Sequence, residues 1–147
     1  MGYQFTGFFC DGDETVLKTA LERWPFCVGR VIRSPFHGIG LRCPDLDEVW
    51  DSDQGCDYWR DRIYSVEKQL PDFSTVFPGM TFAFIKAECF GGDCEFAGFV
   101  VRNGEMLFRV EFDAVGTNNL RQLLKPFGVR PLTGYFQPFV RGYWDST

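Results

Sequence analysis

Histidine is almost absent from this chain: one residue, His37, in 147. Any catalysis of the Ser–His or Cys–His kind would have to run through it. Ser34 and Cys43 are near in sequence, but neither stands in a nucleophile elbow or in the local context of a cysteine-enzyme family. A lone histidine on a glycine-rich strand reads as structural. Basic residues are also in deficit, 15 Lys and Arg against 20 Asp and Glu, which leaves a net charge of -5. Nucleic-acid binding needs clustered cations to neutralise phosphates, so that class is set aside. The six cysteines (Cys10, Cys27, Cys43, Cys56, Cys89, Cys94) form no C-x-x-C pair, which removes the zinc ribbon. No apolar run approaches the ~20 residues that span a bilayer. The opening MGYQFTGFFCDGDE lacks the basic and apolar regions of a secretory signal. Walker and dinucleotide motifs are missing too, so no nucleotide cofactor is expected. The composite expectation is a cytosolic protein with free thiols, and without cofactor, metal or catalytic residues.

What is present is mostly aromatic and periodic. Aromatics make up 18% of the chain, which calls for a core built on large rings. A length of 147 residues suits one domain, 1–147, with an aromatic-rich tail over 129–147. Tyr3 to Cys10 alternates as a strand. Asp13 is placed to cap a helix with Val16, Leu17, Ala20, Leu21 and Trp24 on one face, ended by Pro25. Phe26 to Arg33 and Phe36 to Arg42 read as strands, the second thinned by Gly38 and Gly40. A helix with Trp59, Ile63, Val66 and Leu70 inward stops at Pro71, followed by a connection with room for one helical turn. A last helix, capped by Thr117 or Asn118, points Leu120, Leu123, Leu124 and Phe127 inward and closes at Gly128. This order predicts an α+β domain with a mostly antiparallel sheet and helices packed on one face.

The segment from Thr81 to Asp113 defines its own register. Gly91-Gly92 and Asn103-Gly104 are both signals for two-residue hairpin turns. Counting outward makes a three-stranded meander whose core face carries Phe82, Phe84, Phe99, Val101, Met106, Phe108, Val110 and Phe112. On the same face Glu88 falls opposite Glu95, and like charges so placed destabilise a sheet. Such a pair can share a proton or hold a hard cation. The structural alternative is that the sheet frays here and both point into water beside Lys86. On the other face Cys89 meets Cys94 as a non-hydrogen-bonded pair, with Cα atoms ~4.5 Å apart and within reach of a disulfide. A redox pair is therefore open, although the plain reading is two inert thiols.

A second candidate region is acidic. Asp45, Asp47, Glu48, Asp51, Asp53 and Asp57 are interleaved with Trp50 and followed by Tyr58 and Trp59. Charge of one sign bordered by large rings suits a contact with a basic protein. The structural alternative is a solvated loop whose last acids favour the N-terminus of the following helix. Asp51-Ser52-Asp53-Gln54-Gly55 is no calcium loop, because its glycine comes one position early and Arg62 stands where the bidentate glutamate should be.

Ala87-Glu88-Cys89-Phe90-Gly91-Gly92-Asp93-Cys94-Glu95, with Gly98-Phe99-Val100, Asn103-Gly104-Glu105, Gly134-Tyr135-Phe136, Pro138-Phe139 and Arg141-Gly142, resembles small acidic bacterial immunity-type proteins of polymorphic and contact-delivered toxin systems. That resemblance brings no catalytic motif and assigns no site residues. It implies a protein that binds and blocks a toxin domain, and many such domains are basic. The leading expectation is a non-enzymatic inhibitor of a basic protein partner, engaging it through residues 45–59. The alternatives are a small enzyme or metal-binding protein using Glu88 and Glu95, and a redox-responsive protein using Cys89 and Cys94.

Overall fold

The computed structural model describes residues 3–45, 49, 53–90, 93–112, 118–129, 138, 143 and 144. Its centre is a six-stranded antiparallel sheet in the order β2-β3-β1-β4-β5-β6. The strands are β1 (Tyr3–Cys10), β2 (Val28–Ile32), β3 (Gly38–Arg42), β4 (Thr81–Phe90), β5 (Asp93–Arg102) and β6 (Glu105–Val110). Among the described residues the helices packed on the sheet are α1 (Glu14–Arg23), α2 (Cys56–Ser74) and α3 (Asn118–Leu124), the last extended by a 3-10 turn over Lys125–Phe127. This is the expected α+β class.

One face of the sheet carries Phe8, Ile39, Leu41, Phe82, Phe84, Phe99 and Val101, packed under Val16, Ala20 and Trp24 of α1 and Val66, Leu70 and Phe73 of α2. The opposite face carries Phe5, Phe9, Ala83, Ile85, Ala87 and Val100, and α3 covers part of it with Leu120, Leu123 and Leu124. Two helices thus share a face, and the short α3 lies on the other, which corrects the expectation that the helices pack on one face. The reason is in the central strands, where adjacent residues such as Phe8 and Phe9, or Phe84 and Ile85, are all buried. Both faces are apolar and both require cover.

Local signals explain most boundaries. Asp13 caps α1, its Oδ1 accepting from the N–H of Thr15 at 2.9 Å. Asn103 and Gly104 both take positive φ, 53° and 80°, as the tight turn between β5 and β6 demands. Gly40 leaves the space into which Trp144 packs, since a Cβ there would lie 2.8 Å from the indole. Trp144 also lies against Phe5 and Phe9, so this part of the tail folds back onto the sheet.

Two further expectations need correction. Pro71 does not stop α2, which runs on to Ser74. The proline costs a backbone hydrogen bond, but the extra turn buries Phe73 among Phe8, Trp24 and Phe82. Ser74 Oγ secures its end by donating to the carbonyl of Pro71 and accepting from the N–H of Gly104. The second correction concerns β6. The register from Phe82↔Val101 through Phe84↔Phe99 to Glu88↔Glu95 is as counted, and Val101 still faces Met106. A bulge then intervenes, so Val100 faces Phe108 and Phe99 faces Arg109. One extra residue moves everything beyond it to the other face. Phe108 and Val110 therefore join the α3 side, while Met106 and Phe112 are exposed.

Phe99 is buried, stacked on Phe84 with ring centroids 5.2 Å apart. Replacing it with alanine should cost ~3–5 kcal/mol, the range for deleting a core aromatic. Chemical denaturation of Phe99→Ala checks this value, with Leu107→Ala, exposed in the bulged region, as a near-neutral control.

Candidate functional site

The antiparallel ladder sends several candidate groups to one end of the sheet. Residues 3–4 of β1, 88–90 of β4 and 93–95 of β5 lie there, whereas Arg42 at the end of β3 is level with Gly7 and Ile85. Gly55 and the first turn of α2 follow from the acidic segment. Of that segment, Asp47, Glu48, Trp50 and Asp51 lie outside the described residues.

The acids that are described differ in availability. Asp45 is half-buried and ion-paired with Arg42 at 2.9 Å, so it serves β3 and the chain leaving it. Asp53 is exposed just before α2. Asp57 lies in the first turn, where the helix dipole favours an acid, and its side chain is 94% exposed despite a 3.2 Å contact with Arg60. Asp61 and Tyr64 continue outward along the same helix, and Tyr64 is 57% exposed. Trp59 is half-buried, edge-on to Phe26 at 6.2 Å and next to Tyr58, over which Arg62 stacks. Trp59 thus anchors α2 to its own fold. Tyr64, which periodicity alone left unremarked, is the exposed ring beside these acids.

Glu88 and Glu95 do face each other. Glu88 is exposed and Glu95 half-buried. Lys86 lies one strand-step inward on the same face and is taken up by Glu67 of α2 at 2.6 Å. Among the described residues no group of three or more His, Cys, Asp or Glu is disposed to hold a metal ion. Among the described residues the pair therefore has no third metal ligand.

Cys89 and Cys94 face each other as counted, with Cα atoms 4.0 Å apart, but they are joined in a disulfide. The expectation of inert thiols fails for this pair, because the register places the two sulfurs within bonding reach. Cys10, Cys27 and Cys43 are buried free thiols, and Cys56 is a half-buried one. Cys27 and Cys43 place their sulfurs 3.9 Å apart. His37 is exposed beside an open depression of about 670 Å³ that Asp11, Asp13 and Arg33 also line. Cys43 sits at the far end of β3, so His37 and Cys43 are not brought together.

The chain matches no family model, no curated protein and no solved structure. No helix among the described residues is long and apolar enough to cross a membrane.

The buried thiol of Cys10 gives a pH signature. Burial pushes it from 9.0 to about 12, against a smaller lowering by the N–H of Gly12, which donates to its sulfur. A group with a raised folded pKa stabilises the fold fully below its unfolded value and loses that contribution as pH climbs to the folded one. The melting temperature should fall as pH rises from 9.0 toward 12. Cys10→Ala should show a shallower fall over that range, read by thermal scans of both proteins.

Proposed function

We propose that this chain is a non-enzymatic binding protein, an immunity-type inhibitor acting in the bacterial cytosol on a basic protein partner such as a toxin domain. The observation that carries the reading is the outward surface at the start of α2. Asp53, Asp57 and Asp61 are all exposed there, and the exposed ring of Tyr64 follows on the same helix. Asp57, Asp61 and Tyr64 stand at helical spacing i, i+4, i+7 and so share one face. Asp47, Glu48 and Asp51, outside the described residues, precede this segment in sequence. Exposed acids beside a large ring match what protein interfaces use, with charge to steer the encounter and an aromatic to hold it. Arg60 and Lys68, also exposed one turn either side of Tyr64, make the face mixed rather than purely acidic. The net charge of -5 favours a cationic protein over an anionic ligand. The carboxylate-pair alternative draws less support, since Glu88 and Glu95 stand at an open sheet end without a third metal ligand among the described residues.

The experiment is a pull-down from the native cell, followed by binding kinetics with the recovered partner. Reversing Asp53, Asp57 and Asp61 to Lys should slow association about tenfold at low salt and flatten its salt dependence, because steering acts on the encounter rate. Tyr64→Ala should instead shorten the lifetime of the complex. Recovery of no basic protein, or unchanged association by the charge-reversed chain, would overturn the proposal.

A further inference from the structure

We infer that the Cys89–Cys94 disulfide is a thiol-exchange site whose reduction releases the outer end of β5 from β4. The inference is independent of the partner proposed above and rests on how this end of the sheet is held. β4 is paired on its other side with β1 as far as Tyr3↔Cys89. β5 meets β6 only from Gly98 onward, so residues 93–97 have a single strand partner, β4. In the pair next to the disulfide Glu88 faces Glu95, which pushes the strands apart, and Lys86 is occupied by Glu67. The disulfide thus ties β5 to β4 where charge opposes their pairing.

Access and extent follow from burial. Cys89 and Cys94 are both half-buried, Cys94 against the α3-side core, which leaves part of the pair open to a small thiol. Cys10, Cys27 and Cys43 are sealed in the core, and Cys56 is half-buried on α2. Release stops at Phe96, which is buried against the α3 side and whose carbonyl accepts from Asn119 Nδ2 at 2.9 Å. The freed unit is residues 93–95 of β5, while β4 stays paired with β1. Its departure leaves the backbone N–H and C=O groups of β4 at 88–90 without their β5 partners, an edge open to another strand.

The chemistry is ordinary exchange with a dithiol reductant. A thiolate of the reductant attacks one cystine sulfur, the S–S bond breaks, and the other sulfur leaves as a thiolate and takes up a proton. The second thiol of the reductant then attacks the mixed disulfide. Two electrons and two protons pass to Cys89 and Cys94, and the reductant ends as a cyclic disulfide.

The test uses the full chain with dithiothreitol and no denaturant. Alkylation and mass analysis should show Cys89 and Cys94 becoming reactive while the three core thiols stay protected. Hydrogen exchange of amides 93–95 should then speed up about tenfold, a local opening, with 81–86 and 99–101 unchanged. The reduced Glu88→Gln/Glu95→Gln double variant should keep most of the protection, because its strands no longer repel. Three results would each overturn the proposal: a disulfide that resists reduction until the protein unfolds, exchange that does not change on reduction, or a Gln variant that opens as much as the native chain.

Discussion

β1 and β4 pair antiparallel from Tyr3↔Cys89 to Cys10↔Phe82, in the middle of the sheet, and bury side chains on both faces as they do so. This two-sided burial is the constraint on which the other elements depend. Phe8, Phe82 and Phe84 need α1 and α2 above them, and Phe5, Phe9 and Ile85 need α3 and Trp144 below. Tight spacing between strands is part of the same arrangement. A Cβ at Gly7 would lie 2.0 Å from the carbonyl oxygen of Leu41, so β3 can approach β1 there only without a side chain.

The same pairing decides where polar groups collect. Carboxylates collect at both ends of the strands, Asp11, Asp13 and Glu14 beside the start of α1 and Glu88 and Glu95 at the other end. Some are neutralised locally, as Asp45 is by Arg42 and Glu67 by Lys86. Others, such as Asp57, keep solvent access and little local compensation, since an exposed pair with Arg60 contributes at most ~1 kcal/mol. The disulfide lies at the end of Glu88 and Glu95, on the face away from them. Charge repulsion and covalent restraint therefore meet within one hairpin.

Much of this was legible in the residues. Tyr3–Cys10 and the cap at Asp13 follow from alternation and a single side-chain oxygen. The β4–β5 register follows from Gly91-Gly92, and with it come Glu88 against Glu95 and Cys89 against Cys94. Where reading failed, the local signal was ambiguous or overruled. Met106, Leu107 and Phe108 are three apolar residues in a row, without alternation to show which one is extra. Pro71 is a strong helix breaker, yet Phe73 two residues later buries enough surface to hold the turn. Trp59 and Tyr64 look alike as helix aromatics, and only the position of Phe26 makes one an internal contact.

By itself, then, the sequence determined what depends on neighbours along the chain: strand alternation, capping, tight turns and the pairing that a two-residue turn dictates. Tertiary structure decided what depends on groups far apart in sequence. It placed α3 on the face opposite α1 and α2, where Phe108 and Val110 join it beyond the bulge. It also left Tyr64, with Asp57 and Asp61, outside the core. The physical reason is that burial is a property of the assembled surface, so a residue's side of the sheet or helix becomes definite only when the opposing element has packed.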